Sequence, residues 1–249
     1  MKRSDFEVEI CANSIDSVIE AEKGGADRVE LCDNICEGGT TPSYGLISLA
    51  KEKCKIKVFV MIRPRSGDFV YNENEINIML KDIKAAINIG VDGFVIGCLN
   101  RSLAVDYDTC SRLIEAAKSL PITFHRASDV TTDPFESLRV IESLGIDRIL
   151  TSGQQNKAFD GIKLLAELKQ YSPNFPKIMA GSGIDESNVE KIANFTGVKA
   201  FHVSLRTERK SISKTHNIQF NSSKDIPENI RKITSAERIK KFISILEEL

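Results

Sequence analysis

The feature that most constrains this chain is a rhythm. From the first residues to about Ser204, short β-branched or apolar runs alternate with amphipathic stretches. Parallel strands joined by crossover helices produce that pattern. Eight rounds can be counted, with strands expected at Phe6 to Cys11, Arg28 to Cys32, Lys57 to Ile62, Gly93 to Gly97, Ile122 to Arg126, Arg148 to Thr151, Lys177 to Ala180 and Ala200 to Ser204. Eight is the number at which a parallel β/α sheet closes on itself. A doubly wound open sheet has the same alternation, but eight rounds without a glycine-rich dinucleotide fingerprint favour closure. The expected fold class is α/β: a single-domain (β/α)8 barrel, the TIM-barrel architecture, over residues 1–249 with the barrel itself at about 6–204.

The helical stretches have recognisable ends. Asn13 or Ser14 can cap the first and the Gly24-Gly25 pair ends it. Gly90 follows Ile76, Leu80, Ile83 and Ile87, and Gly145 follows Phe135, Leu138, Ile141 and Leu144, so each spacing lays an apolar stripe along one face. From Leu205 to Thr234 the rhythm lapses into a polar stretch, long for an unstructured connection and expected to be either mobile or a lid. Ser235 to Leu249 then recovers helical spacing through Ile239, Phe242, Ile243 and Leu246.

Strand side chains alternate, so in a barrel one set faces the helices and the other the interior. With Val8 and Ile10 on the helix side, Glu9 and Cys11 turn inward; with Val29 and Leu31 outward, Glu30 and Cys32 do the same. The same parity sends Phe59, Met61 and Arg63, then Thr123 and His125, then His202 and Ser204 to the interior. All sit late in their strands, at the end where such barrels do chemistry. Buried carboxylates need partners, and Arg63, Arg126, Arg28 or a histidine are at hand for Glu9 and Glu30.

The loops after the strands add anion-binding character. Arg63-Pro64-Arg65-Ser66-Gly67-Asp68 sets two guanidiniums beside an acid, and His125 and Arg126 lead into Ser128 and Asp129. Gly181, Ser182 and Gly183 are expected to run directly into a helix N-terminus, whose free N–H groups suit a phosphate or carboxylate.

Thirty-four basic against thirty-five acidic residues leave a formal charge of −1, so no whole-protein field draws the chain to nucleic acid or membranes. The N-terminus lacks the apolar core of a signal peptide and no stretch approaches the length of a membrane span, which makes the cytoplasm the expected location. Six cysteines in a chain with a large core are expected to be reduced thiols, and the Cys32–Cys36 spacing is a weak chelating pattern.

Taken together and in order, ADRVELC, EGGTTPSYG, RPRSGDF, TFHRASD, RILTSG and IMAGSGI resemble the CutC family, described as copper-homeostasis proteins with a β/α-barrel fold. The resemblance covers about residues 7 to 204, with Ser66 standing where the family pattern usually has glycine. It implies Cu(I) ligation by Cys11 and Cys32 and a homodimer or higher homo-oligomer; donor chemistry offers His125 or Met61 as candidate further ligands. The residues support a second reading, an enzyme acting on a small anionic or phosphorylated metabolite. There Glu9, Glu30 or His125 would move protons, while Arg63, Arg65, Asp68, Arg126, Gly181, Ser182, Gly183 and His202 would bind the anion.

Overall fold

In a computed structural model that describes residues 1–210, 212 and 229–249, each of the eight expected runs forms a strand. They are β1 (Glu7–Ala12), β2 (Arg28–Leu31), β3 (Lys57–Met61), β4 (Gly93–Ile96), β5 (Ile122–Phe124), β6 (Arg148–Thr151), β7 (Lys177–Gly181) and β8 (Ala200–Val203). All neighbours pair in parallel, and β1 pairs with β8 to close the barrel.

The crossover helices are α1 (Ile15–Gly24), α2 (Tyr44–Lys53), α3 (Glu73–Ile89), α4 (Tyr107–Ala117), α5 (Pro134–Ser143), α6 (Ile162–Tyr171) and α7 (Val189–Thr196). Local chemistry fixes their ends. Ser14 caps α1 by accepting the Ser17 N–H, and Gly25 ends it in the left-handed conformation at φ 83°. Asn72 and Glu75 form a reciprocal capping box at the start of α3, and Gly90 ends that helix. The eighth helix, α8 (Ala236–Glu247), packs on α1 and α7 and completes the outer ring. Gly24 permits that contact, because a Cβ there would lie 2.7 Å from the Cβ of Ile239.

The outward strand residues, among them Val8, Ile10, Val29, Leu31, Val58, Val60, Phe94 and Phe201, merge with the helix stripes into one apolar core. Inside the barrel the apolar contribution is smaller, centred on Cys32, Phe59, Met61 and Val95.

Two expectations need correction. Strand β5 stops at Phe124, because His125 takes the Ala127 N–H on its Nδ1 and starts a 3-10 turn, Arg126–Val130. The polar stretch also contains regular structure: β9 (Arg206–Lys210) and β10 (Ile230–Thr234) pair antiparallel as a two-stranded ribbon, with Glu208 opposite Lys232. Most of their side chains are exposed, so no apolar alternation marks them in the sequence; Ile233 and Thr234 alone reach the core side. The middle of that stretch, 211 and 213–228, where a lid or a mobile segment is expected, lies outside the described residues.

Candidate metal and ligand site at the barrel mouth

Register explains which inward side chains meet. Glu9 lies opposite Arg28 on β2 and opposite His202 on β8, while Cys11, one layer nearer the mouth, lies opposite Glu30. Glu9 is fully buried and receives Arg28 Nη2 at 2.6 Å and His202 Nδ1 at 2.6 Å. Burial alone would raise its pKa, but Arg28 and then His202 outweigh that and hold the carboxyl at about 2. Burial likewise opposes the charge on His202, yet Glu30, Cys11 and Glu9 around it keep it well above its usual value, which favours the imidazolium form.

Glu30, one strand away, behaves oppositely. Its nearest cation, His202 Nδ1, is 3.5 Å off, and burial lifts the carboxyl to about 8 despite that attraction, with Cys11 and Glu9 adding repulsion. The thiols are split in the same way. Cys11 and Cys32 Sγ stand 3.7 Å apart. The hydrogen bond from Cys32 lowers the Cys11 thiol well below its usual range against the effect of burial, with His202 assisting; the same bond, and then burial, push Cys32 well up. One proton therefore serves two sulfurs.

Among the described residues two groups could hold a metal ion: Cys11, Glu30 and Cys32, and Glu9, Glu30 and His202, each with donor atoms within 4.8 Å of one another. In the second group Glu9 is already bound to both Arg28 and His202, and the imidazolium has no lone pair to give. The first group is free to bind. Its sulfurs are soft donors, their 3.7 Å separation lies within the span of two metal–sulfur bonds of about 2.3 Å, and the lowered Cys11 thiol gives up its proton more readily than an ordinary cysteine. The residues fit a soft ion. Met61 packs in the same small cluster as Cys32, whereas His125 is unsuited as a ligand: Nδ1 accepts the Ala127 N–H, which leaves the proton on Nε2. Cys36 is exposed and belongs to neither group.

These thiols open into a cavity of about 690 Å³. Of the expected anion ligands, Arg63, Arg126, Ser182, Gly183 and His202 line it; Arg65, Asp68 and Gly181 do not. Arg65 is consumed in building its own loop, held by Glu75, by Asp68 at 3.1 Å and by the carbonyls of Ser66, Asp68 and Val70. Two arginines two residues apart in a tight loop thus have different employments. Arg126 reaches the rim, tied to Asp129 at 2.7 Å and to Ser152 Oγ at 2.8 Å. Gly181 is packed under the Leu150 side chain, and Ser182 adopts φ 80° with its hydroxyl donating to the Asn156 carbonyl. The expected direct run into a helix is absent: α7 begins only at Val189, so no helix N-terminus abuts Gly183.

His125 is buried, its ring tilted 47° to that of Phe69 with centres 5.0 Å apart, and lowered to about 3 by burial and by the Arg63 charge. A proton shuttle near neutrality is therefore not a role it can fill. Asp129 stood in the sequence beside Arg126, whereas the residues that the ribbon and α8 bring to the site had no sequence signal of their own. Asp129 accepts from Thr151 Oγ1, Ser152 N and Gln154 N and so anchors Arg126, while Arg206, Glu208, Lys232 and Arg238 enter the cavity wall from the ribbon and α8.

A closed parallel barrel whose C-terminal strand ends gather thiols, carboxylates and an imidazolium defines the class of protein. The chain belongs to the CutC family, whose model matches residues 6–207. It is similar to a family protein CutC of Bacteroides fragilis, 46% identical over 94% of this chain and 95% of that protein. It is also similar to the human copper homeostasis protein cutC homolog, 38% identical over 98% of this chain and 90% of the relative. The crystal structure of CutC from Streptococcus agalactiae superimposes with a TM-score of 0.76 at 38% identity, covering 80% of this chain and 98% of that one.

Proposed function

We propose that this protein serves copper homeostasis by holding Cu(I) between Cys11 and Cys32, in the cytoplasm and as a homo-oligomer. The observation that carries this reading is the pair of free sulfurs 3.7 Å apart at the edge of an open cavity. Copper homeostasis is also the role in the name of the human relative. Cys11 enters as thiolate, Cys32 releases its proton when it ligates, and the neighbouring His202 imidazolium offsets the negative charge that two thiolates gather. Bound copper would supply thiolate-ligated storage, shielding the ion from solvent and from other thiols. Such thiols survive in a reducing compartment.

Competition for Cu(I) between the reduced protein and a chromogenic chelator tests this. The Cys11→Ser, Cys32→Ser double variant is expected to lose more than the roughly 10–100-fold that outer-shell changes cost. Unchanged affinity would reject the two sulfurs as ligands.

The second reading, an enzyme for a small anionic or phosphorylated metabolite, narrows to one proton carrier. Glu9 is locked between Arg28 and His202 and His125 stays neutral, whereas Glu30 borders the cavity with its carboxyl raised to about 8.

A further inference from the structure

Cu(I) between Cys11 and Cys32 would use two donors, but the register at the barrel mouth supplies a third. Cys11 stands opposite Glu30 across β1 and β2, and Cys32 follows Glu30 by two residues, so all three side chains leave the same inward face of two paired strands. A carboxylate oxygen of Glu30 and both sulfurs lie within 4.8 Å of one another. All three residues line the cavity, Cys11 partly exposed and the other two buried. Among the described residues Glu30 Oε2 accepts no hydrogen bond, and His202 Nδ1 stands 3.5 Å off. A buried carboxylate oxygen without a donor is costly to keep, and an ion at this point would satisfy it.

The sulfur spacing selects a geometry. Two metal–sulfur bonds of about 2.3 Å at the tetrahedral angle part the sulfurs by about 3.8 Å, whereas a linear two-coordinate ion would part them by about 4.6 Å. The two sulfurs stand 3.7 Å apart. Bonds of about 2.3 and 2.1 Å at the same angle put an oxygen about 3.6 Å from each sulfur, so the Glu30 carboxylate has at most about 1.2 Å to close. Two thiolates and a carboxylate carry three negative charges, of which a divalent ion cancels more than a monovalent one. Sulfur joined by carboxylate oxygen is a donor set of the zinc type, and three protein ligands leave a fourth position.

We infer that Cys11, Glu30 and Cys32 form a three-ligand tetrahedral site for a divalent ion of the zinc type, its fourth position open to the cavity for water or a ligand oxygen. The three groups give up the protons they carry when the ion binds. This site shares its sulfurs with the copper reading but does not rest on it, and Glu30 separates the two: a dithiolate ion in linear geometry has no use for the carboxylate.

The test uses the full chain, reduced, stripped of metal and kept anaerobic. Zn²⁺ is titrated against a chromogenic chelator, and Co²⁺ takes its place for visible spectra. One Zn²⁺ per chain with a micromolar or tighter Kd is expected, together with the bands of four-coordinate Co²⁺ and charge transfer from thiolate. Glu30→Gln, which keeps the shape of the side chain, should weaken Zn²⁺ at least about tenfold more than it weakens Cu(I), and Cys11→Ser should diminish the charge-transfer band. Should Glu30→Gln fail to fold, the Co²⁺ spectrum of the parent decides. No Zn²⁺ binding, an octahedral Co²⁺ spectrum, Co²⁺ binding without thiolate charge transfer, or equal losses of Zn²⁺ and Cu(I) in Glu30→Gln would overturn the site. Cu(I) binding without Zn²⁺ would reject this site and leave the copper reading standing; Zn²⁺ binding without Cu(I) would do the reverse.

Discussion

At the two ends of its interior the barrel handles charge in different ways. Near the N-terminal strand ends Glu7 takes Arg148 Nη2 at 2.8 Å, Lys177 Nζ at 2.9 Å and Arg28 Nε at 3.3 Å. Those ions are held in direct contact around one carboxylate. At the mouth two sulfurs lie 3.7 Å apart beside an open cavity, and a carboxyl is lifted to about 8. Arg28 joins the two ends, since it binds Glu7 on one side and Glu9 on the other. Polar crowding inside a barrel is thus a poor sign of function by itself. What separates the ends is that the thiols and the raised carboxyl open on a cavity, whereas the ions around Glu7 do not line it.

The largest effect that could break this contrast is at the junction. Glu9→Gln removes the charge that both Arg28 and His202 face, and is expected to cost about 3–5 kcal/mol in denaturant unfolding. A cost below about 1 kcal/mol would mean that Arg28 and His202 find their compensation elsewhere.

Glu30 should show the opposite sign. A carboxyl held at about 2, as in Glu9, contributes stability that is present above its unfolded value and lost as pH falls from 4.5 toward 2. A carboxyl raised to about 8, as in Glu30, keeps its proton in the folded state while the unfolded chain loses it. Stability therefore declines as pH rises from 4.5 to 8, on the order of 4 kcal/mol. Glu30→Gln should flatten that decline and leave the variant more stable than the parent near pH 8. Unfolding free energies measured across that range with the same slope in both proteins would place the strain on another group.

The smallest effect sharpens the contrast from the other end. Arg148→Met should cost about 1–3 kcal/mol, because it unpairs Glu7 only in part, with Arg28 and Lys177 still in contact. Chelator competition should find its Cu(I) affinity within about twofold of the parent, since the residue is remote from the sulfurs. A larger change would mean that the two ends are coupled through Arg28.

Much of this was legible in the chain. Strand alternation assigned Glu9, Cys11, Glu30, Cys32 and His202 to the interior, because side-chain parity is local and strict in a strand. It could not choose Glu9's partners among four candidates, since Arg28 and His202 are selected by the registers of β1 with β2 and β8. Parity also gives no guidance once a strand ends. Arg63 and Arg65 read as one anion-binding pair, yet backbone carbonyls hold one at the mouth and Glu75 and Asp68 hold the other outside it. The ribbon was illegible for a different reason: its strands are exposed, and Glu208 opposite Lys232 carries no hydropathy signal.

Closure of β1 on β8 also sets a timetable. Glu9 and His202 are 193 residues apart, and chains are synthesised from the N-terminus, so Glu9 and both cysteines emerge long before the imidazole that will govern them. Until β8 arrives, Cys11 has Cys32 beside it but not the ring of His202. The share of its acidity that His202 adds belongs to the finished ring, acquired in the last step of assembly, and a chain truncated before residue 200 would contain both sulfurs and the hydrogen bond between them but lack that assistance.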